Sequence, residues 1–142
     1  MLCPWADVLY AMDRVWWDKY FTRAKKEFSG VLFSCLPGCY SVTHAPVHHY
    51  HNSGAGVIAL AAYLGIKKVI MLGYDMQHTN GKKHWHGDHP KGLANAGKVS
   101  SWPARFRELK TAHPALEIIN CSRVTALNCF TRADLERVLC AP

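Results

Sequence analysis

Acidic side chains are scarce in this sequence: ten Asp and Glu stand against seventeen Lys and Arg, a formal charge of +7. That imbalance calls for an anionic partner, but the basic residues are scattered and form no dense run. A nucleotide-sized anion therefore fits better than a nucleic acid. Also lacking is any apolar stretch of the roughly 20 residues that a bilayer requires, and any leader of the secretory kind. Internal repeats and low-complexity tracts are missing too. With 49% hydrophobic and 19% charged residues, the composition is that of a soluble globular protein and excludes disorder. A length of 142 residues favours one domain, 1–142, with a real core. The six cysteines lack the tight spacing of secreted disulfide scaffolds, so reduced thiols and a cytoplasmic setting are expected. Cys35 and Cys39 flank Pro37-Gly38 as a metal-pair candidate, but no second pair accompanies them.

What is present alternates between strand and helix patterns. Ala6 to Met12 predicts a strand. Arg14 to Phe28 predicts an amphipathic helix whose apolar stripe is Val15, Trp16, Tyr20, Ala24 and Phe28. Strands are expected over Val31 to Cys35 and Cys39 to Thr43. The stretch Asn52 to Asp75, NSGAGVIALAAYLGIKKVIMLGYD, organises the rest: a capped, nearly all-apolar helix, a Gly65 stop and a buried strand that delivers Asp75 at its carboxyl end. A polar loop, Met76 to Lys98, follows, long enough to be a functional flap. Val99 to Thr111 predicts a helix and Leu116 to Asn120 a strand. Arg132 to Leu139 predicts a closing helix that Thr131 caps. The pattern implies an α/β, three-layer Rossmann-like fold with a mostly parallel sheet flanked by helices.

Several residues carry chemistry. Asp13 and Asp75 end strands on the same expected rim, where open α/β sheets bind ligands. Asn52 and Ser53 cap the central helix, while Gly54 and Gly56 let a ligand approach the backbone. Gly54 to Ala59 also satisfies the dinucleotide pattern G-x-G-x-x-A, but PVHHYH before it makes a poor strand. His89 can act as a general base, with Asp88 or Asp75 orienting it. The segment HWHGDH offers a second reading, a zinc site of His84, His86, Asp88 and His89 that generates hydroxide for hydrolysis, joined by His48, His49 or His51. Asn95 and Arg123 lie near element ends, and the Arg123 guanidinium suits a phosphate. Of the adjacent Trp16 and Trp17, one can be core and the other a stacking surface, although both packing is the plainer expectation.

The segments NSGAGVIALAAYLGIKKVIMLGYDM, GKKHWHGDHP and LEIINCSRVTALNCF together resemble phage and prophage proteins of unknown function. Their fold is similar to the bacterial lipooligosaccharide sialyltransferases (glycosyltransferase family 42) and, more distantly, to the pterin pyrophosphokinase-like domain family. The resemblance implies a nucleotide-sugar donor contacted by Ser53 and Gly54, a metal-independent base at His89, and no required cofactor; His84 is a further ligand-binding candidate. These families open with a strand and a Gly-x-Gly-Pro-Ser-like turn, so the chain is expected to lack the first βα unit, which a neighbouring subunit of a homo-oligomer would then supply. A non-catalytic phage ligand-binding or assembly protein is the alternative from another class.

Overall fold

The computed structural model describes residues 3–82, 87–93, 95, 97 and 99–140. It is an α/β structure with two small parallel sheets flanked by helices. The first sheet joins β1 (Val8–Tyr10), β2 (Val31–Ser34) and β3 (Thr43–His44) in that order. The second joins β4 (Lys68–Met71), β5 (Glu117–Asn120) and β6 (Thr131–Arg132). Registers are parallel throughout, with Leu9 opposite Leu32 and Val69 opposite Ile118. No helix among the described residues is long and apolar enough to cross a membrane.

Helix α1 (Arg14–Glu27) connects β1 to β2 and packs on their Leu9 and Leu32 side. Of the expected stripe Ala24 is buried and Trp16, Tyr20 and Phe28 are half-buried, but the fully buried ring is Trp17, which the stripe did not include. Val15 is exposed and Trp16 half-buried, because Trp17 turns inward and donates its Nε1 hydrogen to the Ala11 carbonyl at 3.0 Å. That bond saturates the one polar atom of a buried indole.

Helix α2 (Ser53–Tyr63) is apolar nearly all round, as expected of a helix covered on most sides. Leu60 packs with Phe33, Val8 and Tyr10 of the first sheet. Ala55, Ile58 and Ala59 pack with Met71 and Ile118 of the second. Helix α3 (Trp102–Ala112), entered through a 3-10 turn at Val99–Ser101, adds Phe106 and Leu109 to that second core. One helix thus spans both sheets. Its start is fixed by Asn52, whose Oδ1 accepts from the Ala55 amide at 3.1 Å.

Two expected elements differ. Cys39 to Val42 is a turn, with Tyr40 in the left-handed region (φ 47°) and Val42 N–H donating to Cys39 O, so β3 begins only at Thr43. Thr131 and Arg132 form β6 instead of starting a helix, because their main chain pairs with Ile119 and Asn120. Helix α4 (Leu135–Cys140) starts later, where Asp134 Oδ1 accepts from the amides of Glu136 and Arg137.

Candidate functional site

A cleft of about 580 Å³ opens at the carboxyl end of β1, between the first turn of α1, the start of α2 and the 87–93 loop. It brings together Asp13, Ser53 and His89, with Arg14 and the half-buried Trp16 ring on the α1 side. Each group has a local cause. Asp13 is the N-cap of α1, but its carboxylate makes no cap bond, leaving both oxygens available to a ligand hydroxyl. Ser53 is the first residue of α2, where main-chain N–H groups precede the helix's own hydrogen bonding. Asn52 caps Ala55 and its carbonyl accepts from Gly56, so the Ser53 and Gly54 amides have no hydrogen-bond partner among the described residues. His89 is presented by its loop: its amide donates to Asn95 Oδ1 at 2.7 Å, and Lys19 Nζ donates to the Lys91 carbonyl at 3.0 Å, tying loop to helix. Asn95 is therefore a positioning residue for His89.

The space beside the α-carbons of Gly54 and Gly56 is filled by protein side chains and is not open to a ligand. A Cβ on Gly54 would lie 2.8 Å from the Tyr74 ring, and one on Gly56 would lie 2.7 Å from Tyr10 Oη. The two glycines admit two tyrosines. Tyr74 Oη also donates to the Gly54 carbonyl at 3.3 Å, and Tyr10 Oη is buried with no hydrogen-bond partner among the described residues.

Asp75 is not in this cleft. Gly73 (φ 72°) and Met76 (φ 49°) take left-handed conformations that swing Tyr74 toward α2 and Asp75 to the opposite side. There Asp75 Oδ2 accepts from Thr79 Oγ1 at 3.1 Å and lines a second cavity of about 950 Å³ with Arg123, Arg132 and Asp134. Asp75, expected to share a rim with Asp13 and to orient His89, thus lines a different cavity from both. Asp88 is exposed and does not line either cavity. His84 and His86 lie outside the described residues, and among the described residues no three metal-ligating side chains cluster.

Sequence reasoning missed Tyr10, Arg14 and Leu93 as walls of the cleft. Arg14 was within reach of it, since the residue after a strand-end aspartate shares its rim. The histidine tract before α2 is a further surprise. The rings of His48 and His49 stack, those of Tyr50 and His51 meet them edge-on, and Tyr50 and His51 are both in the left-handed region (φ 53° and 51°). Two successive non-glycine residues there are costly, a pattern that clusters at functional sites. His51 N–H donates to His49 Nδ1 at 2.9 Å, which leaves the neutral ring's proton on Nε2. Burial first, then the neighbouring His51 and His48, lowers the His49 pKa, and nearby Asp13 opposes them.

Burial also pushes the Tyr74 phenol up from 10 to about 12. Ionisation is then easier in the unfolded chain, so this contribution is intact below pH 10 and is lost as pH rises through 12. The expected loss is about 2–3 kcal/mol. Denaturant melts at pH 9 and pH 12 of the native chain and of Tyr74→Phe read it: the native chain should lose this increment beyond whatever the variant loses.

Compared with protein-family models, curated proteins and solved structures, the chain matches none, so its function is argued from the cleft.

Proposed function

We propose that the β1–α1–α2 cleft binds a nucleotide or nucleotide-sugar, and that the protein is a transferase-like member of a Rossmann-like, three-layer fold. The observation that carries this is the convergence of Asp13, Ser53 and His89, together with Arg14 and Trp16, on one cavity at a strand's carboxyl end. Each wall suits one part of such a ligand. The Trp16 face can stack a base. The Arg14 guanidinium and the Ser53 and Gly54 amides at the positive end of α2 can hold phosphate oxygens. The Asp13 carboxylate can accept from a sugar hydroxyl. His89 would then take the proton of an acceptor hydroxyl as that oxygen attacks the activated carbon and the nucleotide leaves. Six unpaired thiols suit a reducing compartment, and the reading places the protein in the cytoplasm, that of a host cell if it is phage-encoded.

A thermal-shift panel of nucleotides and sugar nucleotides tests the reading. A true ligand at a hundred times its Kd stabilises by about 2.7 kcal/mol. For a chain of this size that is a rise of about 5–10 °C. Trp16→Ala and Arg14→Ala should each fold and each weaken the response. A flat response across the panel rejects nucleotide binding and favours the non-catalytic assembly protein.

A further inference from the structure

The inner edges of the two sheets carry a second interaction surface, which borders the cleft at Tyr10. Strands β1 and β4 lie under the same helix: Tyr10, which ends β1, packs on Gly56, and Tyr74, just past β4, packs on Gly54. Both strands therefore bring their carboxyl ends to the start of α2 and run the same way. Among the described residues they pair neither with each other nor with a further strand on that side, for each is the terminal strand of its own sheet.

Their unpaired edges face one another. In a strand, the side a residue presents is coupled to the direction of its main-chain groups, and both alternate. In β1 the flanking Asp7 carbonyl and Ala11 amide bond to β2, so Val8 and Tyr10, the residues under α2, direct their N–H and C=O away from β2. In β4 the Lys67 and Met71 carbonyls bond to β5, so Val69 and Met71, the residues on the α2 side, point toward β5. The groups of Lys68 and Ile70 point the other way. Two strands running together beneath one helix, with opposite coupling, must have their bonded neighbours on opposite sides and their open edges inward.

Neighbouring strands in a sheet lie about 4.8 Å apart. β1 and β4 do not run side by side at that spacing, so the seam is wider than one strand separation, and a bridging helix about 10 Å across limits it to about two. The burial pattern agrees. Central strands should be the most covered, yet all three β1 residues are half-buried, while β2 and β5 each carry three consecutive buried residues. The α2 face above the two strands is apolar, with Leu60 on the β1 side and Ala55, Ile58 and Ala59 on the β4 side.

We propose that this seam is a docking slot for one extended, predominantly apolar strand of a separate polypeptide, entering parallel to β1 and β4 and bonding to both. Its main chain would meet the Val8, Tyr10, Lys68 and Ile70 groups, turning two three-stranded sheets into one seven-stranded sheet.

Amide exchange by NMR tests this with an acetylated octapeptide of alternating valine and isoleucine bearing a lysine at each end. In the protein alone, the Val8, Tyr10, Lys68 and Ile70 amides should exchange as open groups. The Leu9 and Val69 amides, which point into the existing ladders, should be slow. Saturating peptide should slow the four edge amides by about a hundredfold, the factor expected at a hundred times its Kd. A version with proline at alternate positions, lacking the needed N–H groups, should not. Three results would overturn the proposal: edge amides already slow in a monomer, meaning that β1 pairs directly with β4; edge amides slow only in a dimer, meaning that a second copy fills the seam; or no slowing on adding peptide. None of these depends on nucleotide binding.

Discussion

Trp17→Ala should destabilise the chain by about 3–5 kcal/mol, against a total stability of roughly 5–15 kcal/mol for proteins of this kind. The indole is fully buried at the centre of the first core, against Ala11, Ala24, Leu32 and Cys39, and its ring meets Trp16 edge-on at 4.9 Å between centroids. Removing it empties a large volume and strands the Ala11 carbonyl that accepted from Nε1. Ala11 continues β1, with its amide bonded to Phe33 O, so the damage reaches the strand that frames the cleft. Trp16→Ala should cost much less, because Trp16 is half-buried and faces the cavity. Urea melts of both variants decide the matter: the description of the first core is wrong if Trp16→Ala is the costlier substitution.

If the protein is the transferase proposed above, His89→Ala should lower its turnover by about 10²–10⁴-fold, the usual worth of a positioned general base. Donor binding should change little, because the phosphate and base contacts proposed for the donor lie on α1 and α2. The effect should therefore fall on kcat and not on KM for the donor. Asn95→Ala removes the acceptor that holds the His89 amide, and should produce a smaller loss of the same kind. Asp75→Asn, in the second cavity, should leave turnover near the native value. Equal losses in His89→Ala and Asp75→Asn would mean that catalysis uses both cavities or neither.

The legible parts of the fold were those governed by local chemistry. Helix α1 over 14–27, the Asn52 cap, β4 and β5 all follow from short-range patterns that the residues themselves impose. The phase of α1 was not legible. A tryptophan pair fits two adjacent stripes, and the deciding bond, from Trp17 Nε1 to Ala11 O, joins residues on different elements. Strand β6 escaped notice because two residues carry no periodicity; it exists only through its pairing with β5.

At the site, Asp13, Ser53 and His89 were legible from their places at element ends, and the structure brings them together. Asp75 was misplaced for a reason that strand patterns do not encode. Gly73 turns into a left-handed conformation just before Tyr74 and Asp75, and a glycine's presence does not say which way the chain leaves the strand. The glycines of α2 invite a reading as ligand contacts, but close packing of Tyr10 and Tyr74 is their function. Such packing needs partners 20 and 46 residues away, beyond any local motif.

Chemical-shift mapping during titration with the nucleotide that gives the largest thermal shift tests the central assignment most directly. The account predicts that the Trp16 indole, the Ser53 and Gly54 amides and the His89 ring move together along one binding curve. Shifts confined to Thr79, Arg123 and Arg132, with those groups unmoved, would place the ligand in the other cavity and contradict it.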